Sequence, residues 1–162
     1  MQKITFQRLS ATEPGPEAAA KRLVMIVDDS ATVRKIVAVV LRREGYEVLS
    51  APDGVEALRY LLAPGANLPD LILLDIQMPR MDGYQLALTI RKRPELSRIP
   101  LVILSRRCGV IDKLKARLAG VRGYLSKPFK EQDLRTLVAM FTSPASPQTS
   151  QQPGPISAGS PF

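Results

Sequence analysis

Unbroken apolar runs that stop on polar side chains constrain this chain more than any other feature. LVMIV (23–27) runs into Asp28-Asp29, LILL (71–74) into Asp75, and IPLVIL (99–104) into Ser105. A strand with one wet face alternates apolar and polar residues. A run without alternation belongs to a strand covered on both faces, as in a parallel sheet. YEVLSA (46–51) does alternate, as an edge or half-buried strand would, and GYLS (123–126) is a short fifth strand running into Lys127-Pro128.

Helical periods fill the gaps between these strands. Ser30 can cap a first helix whose apolar positions are Val33, Ile36, Val37, Val40 and Leu41, spaced i, i+3, i+4, i+7, i+8, with Gly45 to end it. A second helix follows Asp53-Gly54, with Ala57, Leu58, Leu61 and Leu62 as its inner stripe; a third starts at Asp82 and carries Leu86 and Ile90. The helix after Gly109 is expected to bury Ile111, Leu114 and Leu118, and the last helix Leu134, Leu137, Val138 and Phe141. Strand and helix signals thus alternate five times, which predicts an α/β fold. In it a doubly wound parallel sheet carries helices on both faces, joined by right-handed crossovers. No sequence repeat exists beyond this alternation.

At 162 residues the chain is long enough for one domain with a proper core. Its 45% hydrophobic content is that of a globular chain, and the apolar runs fall far short of the roughly 18 residues of a membrane span, so no membrane association is expected. The N-terminus has no apolar core of a secretory signal, and the one cysteine, Cys108, excludes an internal disulfide. Together they predict a cytoplasmic protein in a reducing compartment, with Cys108 a partly exposed structural thiol. Residues 1–21, with Glu13-Pro14-Gly15-Pro16 and an alanine run, read as a flexible extension. Residues 142–162, rich in Pro, Ser and Gln, read as a disordered tail too short to hold an output domain. The domain proper is expected over residues 22–141.

The absence of histidine, with a single cysteine, argues against a zinc site, and rules out a phosphohistidine carrier or a His-based triad. A net charge of +8 raises the question of nucleic acid. The cations are spread over several elements with few aromatics among them, densest at Arg106, Arg107, Lys113, Lys115, Arg117 and Arg122. That pattern suits a solvated basic face first, an acidic protein partner second, and nucleic acid last.

Strand carboxyl ends lie along one edge of a parallel sheet, so Asp28, Asp29, Asp75, Ser105 and Lys127 converge although they are far apart in sequence. Singly, each has a dull reading as a cap, a loop hydroxyl or a surface lysine that adds little to packing; jointly, they do not. Clustered carboxylates raise one another's pKa unless a cation joins them. An all-oxygen site of this kind suits Mg²⁺. A carboxylate beside a divalent cation, an ammonium and a hydroxyl is equipped to attack a phosphoryl group. Neither a G-x-x-x-x-G-K nor a G-x-G-x-x-G loop is present, so nucleotide binding has no support.

The stretches VMIVDDSATVRK, LILLDIQMPRMDGY, VILS and GYLSKPF closely resemble, in order and spacing, the receiver domain of bacterial two-component response regulators. The resemblance implies a flavodoxin-like (βα)5 fold with strand order 2-1-3-4-5. It implies that Asp75 accepts a phosphoryl group from a sensor histidine kinase, with Asp28, Asp29, Asp75 and the Gln77 carbonyl holding Mg²⁺. It further implies that Ser105 and Lys127 bind the phosphoryl oxygens, that Tyr124 is an aromatic switch, and that Pro128 follows a cis peptide aiming Lys127. A downstream protein target would read the face made by the fourth helix, fifth strand and fifth helix. GYQLALTIR and SRRCGVIDKLKARLAGVRGYLSKPF look most like single-domain chemotaxis-type receivers, especially those of pilus-based twitching motility.

One departure stands out. Where the family has a small residue after the switch hydroxyl, this chain has Arg106, followed by Arg107. Strand geometry turns successive side chains to opposite sides, so one of the two is expected beside the phosphoryl site as a modulator. The leading expectation is therefore a stand-alone signalling switch, not an enzyme acting on an external metabolite. A haloacid-dehalogenase-type phosphatase would want an acid where Gln77 stands and no Pro79 behind it. A transcriptional regulator would need an appended DNA-binding domain.

Overall fold

The computed structural model describes residues 21–107 and 109–143. The expectations for residues 1–20, for residues 144–162 and for the Cys108 thiol lie outside the described residues. In chain order the elements are β1 (Leu23–Val27), α1 (Ala31–Arg43), β2 (Glu47–Ala51), α2 (Gly54–Leu61) and β3 (Leu71–Leu74). They continue as α3 (Gly83–Arg91), β4 (Leu101–Ser105), α4 (Val110–Leu118), β5 (Gly123–Ser126) and α5 (Glu131–Thr142).

The five strands form one sheet in the order β2-β1-β3-β4-β5, and every pairing is parallel. This is the expected flavodoxin-like order. The non-alternating runs are explained by what covers them. Val24, Ile26, Leu71, Leu73, Val102 and Leu104 face α1 and α5, while Met25, Val27, Ile72, Leu74, Leu101 and Ile103 face α2, α3 and α4. Both faces are dry, so both registers of each central strand are apolar. β2 lies at the sheet edge, paired to β1 alone, which accounts for its more polar sequence.

Helix ends follow local chemistry. The Ser30 side chain accepts from the Val33 N–H to cap α1, and Gly45, at φ 89°, takes the left-handed turn that releases the chain toward β2. Asp82 and Gln85 form a reciprocal capping box at the start of α3. β4 begins at Leu101 and not at residue 99, because Pro100 has no N–H to give to a ladder.

Several expected core positions turn outward. Ile36 and Leu62 are 49% and 40% exposed, at the margins of otherwise inward stripes. The expectation for α4 is overturned outright: Ile111, Leu114 and Leu118 are 69%, 56% and 76% exposed, and the helix instead buries Ala116 and Ala119. At ~100° per residue, Leu114 points ~160° away from Ala116. The physical reason lies in what holds the helix at each end. Tyr84 Oη donates to the Asp112 carbonyl (3.1 Å) and carboxylate (3.4 Å), which turns the Asp112 side toward α3. At the other end Arg91 donates to the Gly120 carbonyl through Nε (3.2 Å) and Nη2 (2.9 Å). Two alanines then let the helix sit close on the sheet, and its larger apolar residues are left outside.

Arg91 also donates to the Ser97 and Ile99 carbonyls. Burial, and then the nearby Arg122, lower its pKa from the ordinary value, yet its carbonyl partners keep the guanidinium well satisfied. Arg91→Met should cost about 2–3 kcal/mol in urea unfolding, since it strips charged donors from carbonyls that have no replacement. A loss below a few tenths would show that α4 is positioned by something else.

Candidate functional site

Three backbone hydrogen bonds continue the sheet beyond its strands and fix the polar residues that follow. Asp28 N donates to the Ala51 carbonyl (3.2 Å), Asp75 N to the Val27 carbonyl (2.9 Å), and Lys127 N to the Ser105 carbonyl (2.9 Å). Strand order reverses between β1 and its two neighbours, so a crevice opens at the carboxyl end just where Asp28 and Asp75 stand. A cleft of about 300 Å³ there is lined by Asp28, Asp29, Ser30, Val33, Asp75, Gln77, Arg106 and Lys127.

The carboxylates crowd one another. One oxygen from each of Asp28, Asp29 and Asp75 lies within 4.8 Å of the others. Asp28 is fully buried and Asp75 nearly so, while Asp29 is exposed. Asp28 Oδ1 accepts from Ser30 N (2.8 Å) and Asp75 Oδ1 from Ile76 N (2.8 Å). Lys127 Nζ reaches Asp28 Oδ2 at 2.5 Å and Asp75 Oδ2 at 3.5 Å, and its side chain is only 11% exposed. It is thus a largely buried ion-pair partner of both carboxylates. Burial, with Asp28 adding to it, raises the pKa of Asp75, against the opposing pull of Lys127 and of the Ile76 and Gln77 N–H groups. One ammonium does not neutralise three carboxylates. The donor set is all oxygen, and it fits a hard divalent cation such as Mg²⁺.

The remaining predicted residues fall around this cleft and not all in it. Ser105 is fully buried at the end of β4, its hydroxyl accepting from Arg107 N (3.2 Å). Arg106 lines the cleft. Arg107 is exposed and is not among the cleft-lining residues; on α3, burial and then the Asp112 carboxylate push the Tyr84 phenol up to about 12. Tyr124, half-buried on β5, packs against the α2-α3-α4 side of the core. The Lys127–Pro128 peptide is cis, and Pro128 lines a neighbouring groove with Val33, Ile36 and Phe129.

Two features of the β3–α3 loop had not been read from sequence. Gly83 packs so closely under the loop that a Cβ there would lie 2.2 Å from the Asp75 carbonyl oxygen. Only glycine permits this approach, and the Gly83 N–H closes the loop on the Ile76 carbonyl (2.9 Å). Arg80 takes a left-handed φ of 66°, costly for a side chain of its size. Its guanidinium bonds the buried Asp53, with Glu56 at 3.9 Å. Burial raises the Asp53 pKa, but Arg80 and the Glu56 and Val55 N–H groups outweigh it and hold the carboxyl below 3.8. Asp53 thereby caps α2 and anchors the loop that carries Gln77. The signal in sequence was an arginine in a turn between Pro79 and Asp82-Gly83, where a left-handed residue is needed.

The sign of the Asp75 shift makes a prediction. A carboxyl with a raised folded-state pKa holds its proton more tightly when folded. Stability therefore falls as pH rises from 3.8 through the raised value. At neutral pH and without divalent metal, ionised Asp75 is a net cost. Asp75→Asn should raise the Tm of the metal-free protein at pH 7, and the gain should shrink as pH falls through that window. An unchanged or lowered Tm at pH 7 would refute it.

Comparison with known proteins follows this geometry. The family model described as the response regulator receiver domain matches residues 24–139. Protein PilG of Pseudomonas aeruginosa is 38% identical over 111 residues, which span 68% of this chain and 80% of that protein. Sensor histidine kinase CheAY of Helicobacter pylori is 36% identical over 134 residues, 83% of this chain but 17% of that protein. Among solved structures, the chemotaxis response regulator CheY4 of Vibrio cholerae superposes with a TM-score of 0.70 at 30% identity, covering 75% of this chain and 99% of that one. The receiver domain of a sensor histidine kinase from Pseudomonas aeruginosa, which has a magnesium ion coordinated in its active-site cleft, superposes with a TM-score of 0.67. It is 29% identical, and the match covers 75% of this chain and 98% of that one.

Proposed function

The chain belongs to the response regulator receiver domain family, and from that premise we propose that Asp75 is its phosphoacceptor, charged by a sensor histidine kinase. The observation that carries the reading is the acidic cluster of Asp28, Asp29 and Asp75 with Lys127 reaching across it. An Asp75 oxygen attacks phosphorus as the bond to the donor nitrogen breaks, leaving an acyl phosphate on Asp75 and the neutral imidazole on the kinase. Asp28, Asp29, Asp75 and the Gln77 carbonyl are the groups that would hold Mg²⁺. When bound, the ion neutralises charge on the transferred group and offsets repulsion among the carboxylates. Lys127 lies within reach of the same oxygens and exchanges its contact with Asp75 for one with the phosphoryl group. Ser105 donates its hydroxyl proton to a phosphoryl oxygen, and Tyr124 follows it inward.

Phosphorylation adds roughly two negative charges at this edge of the sheet. Ser105 is tied to the loop ahead of α4 through the Arg107 N–H, so its movement bears on the α4-β5-α5 face, where a protein target binds. Differential contacts worth a few kcal/mol are enough to shift two pre-existing states. The likeness to PilG and CheY4 favours a motility or chemotaxis pathway over transcription. No helix among the described residues is long and apolar enough to cross a membrane.

The test is labelling. Acetyl phosphate or a phosphorylated histidine kinase, with Mg²⁺, should place an acid-stable, base-labile phosphoryl group on Asp75 alone. Asp29→Ala should slow the labelling and weaken Mg²⁺ binding in calorimetry. Label retained in Asp75→Asn would overturn the assignment.

Arg106 modulates the lifetime of that group. It lines the cleft where the family has a small residue, and its bulk blocks the approach of water in line with the acyl phosphate. Its charge adds less, because Mg²⁺ and Lys127 already neutralise the oxygens. Arg106→Ala should shorten the phosphoryl half-life several-fold and speed phosphorylation, whereas Arg107→Ala, which does not line the cleft, should change neither. Equal half-lives in wild type and Arg106→Ala would end the shielding idea.

A further inference from the structure

The ion pair between Arg80 and Asp53 gives α2 something that its cap does not need. Asp53 is buried, and a single one of its oxygens, Oδ1, accepts from both Val55 N (2.9 Å) and Glu56 N (3.0 Å). The cap is complete with that oxygen alone. The other, Oδ2, takes the Arg80 guanidinium. Arg80 in turn holds a left-handed φ of 66°, an angle that nothing in an arginine side chain favours. Met81, the next residue, packs on the same corner: a Cβ on Gly54 would lie 3.0 Å from its Cγ and Sδ. Two consecutive residues of the β3–α3 loop are thus fastened to Asp53-Gly54, at the start of α2. Nearer the sheet, the loop is closed by Gly83 N on the Ile76 carbonyl (2.9 Å). Between these fastenings lie Gln77, Met78 and Pro79, and Gln77 lines the acidic cleft.

We propose that Arg80 and Asp53 are positioning residues for the metal site, setting its Mg²⁺ affinity by holding the Gln77 carbonyl at the cleft. The inference rests on the reading of Asp28, Asp29, Asp75 and that carbonyl as the groups that would hold the ion. A carboxylate can follow a cation by rotating its side chain, whereas a carbonyl moves only with its backbone. Gln77 is therefore the group most sensitive to freedom in the loop. Pro79, with φ fixed by its ring, limits the slack between Arg80 and Gln77, so a fixed Arg80 fixes what precedes it. Mg²⁺ demands near-ideal octahedral geometry and tolerates a wandering ligand poorly. Residues that orient a metal's ligands without touching the metal commonly change affinity by about 10–100-fold. Without Asp53 opposite it, Arg80 has no reason to keep its left-handed angle, and a return to the ordinary right-handed or extended regions would swing the loop.

The experiment is calorimetry of Mg²⁺ binding to the full chain, without phosphodonor, in wild type, Arg80→Gly and Asp53→Asn. Glycine accepts the left-handed angle while removing the guanidinium. Asparagine keeps an oxygen for the Val55 and Glu56 N–H groups while removing the charge. Circular dichroism would verify that each variant folds. The Mg²⁺ Kd should rise about tenfold in both variants. Charge acting through space predicts opposite signs, since losing a cation would tighten Mg²⁺ binding and losing an anion would weaken it. Arg80→Lys, which keeps the charge and can reach Asp53, should recover part of the affinity. In protein without metal, amide exchange at Gly83 should quicken several-fold in Arg80→Gly and Asp53→Asn. The proposal is overturned if both variants bind Mg²⁺ like wild type, if Arg80→Gly binds it more tightly, or if exchange at Gly83 is unchanged. A wild type that binds no Mg²⁺ would instead sink the reading of the site itself, and the proposal with it.

Discussion

The structure turns on the burial of negative charge at one end of an apolar sheet. Asp28 has no exposed surface, and its ion-pair partner Lys127 comes from 99 residues further along the chain. Removing one partner of such a pair leaves an uncompensated charge and costs about 3–5 kcal/mol. β1 and β5 are therefore tied across the sheet although they are not neighbours in it, and the ends of the domain are held to its centre. The same lysine reaches Asp75. A site with more carboxylates than it can satisfy internally is under electrostatic tension, which a divalent cation would relieve.

Around this centre the loops are held by contacts that have no bearing on chemistry except through position. The β3–α3 loop is closed by Gly83 beneath Asp75 and anchored through Arg80 to Asp53. It carries an unfavourable backbone angle at Arg80, so the ion pair and the cap must together outweigh local strain. The β4–α4 loop is held through the Ser105 hydroxyl and the Arg107 N–H. α4 in turn is secured by Tyr84 at one end and Arg91 at the other. Both loops adjoin the acidic cleft, and both lead into helices with exposed faces.

The candidate site was legible because its residues sit at strand ends. Once the apolar runs are taken as parallel strands, Asp28, Asp75, Ser105 and Lys127 must share an edge, and no contact needs to be known in advance. Gly83 and the Arg80–Asp53 pair were not legible in this way. A close approach between backbones, or an ion pair across 27 residues of chain, leaves no periodic trace. Arg106 and Arg107 were expected to diverge, but which of them faced the cleft depended on how β4 leads into its loop.

The sequence by itself determined the alternation of strands and helices, the burial of the central strands on both faces, and the edge at which the polar groups gather. These follow from local periodicity and from the geometry of parallel sheets. Only the tertiary structure decided how each helix is rotated about its own axis. On α4 the hydrophobic period and the packed face disagree: Ile111, Leu114 and Leu118 mark one stripe, while Ala116 and Ala119 are buried. A helical period specifies that one side is apolar, but the side that meets the sheet is chosen by contact distance and by anchors at the helix ends. Small residues allow the closer approach, and the bonds from Tyr84 and Arg91 hold it.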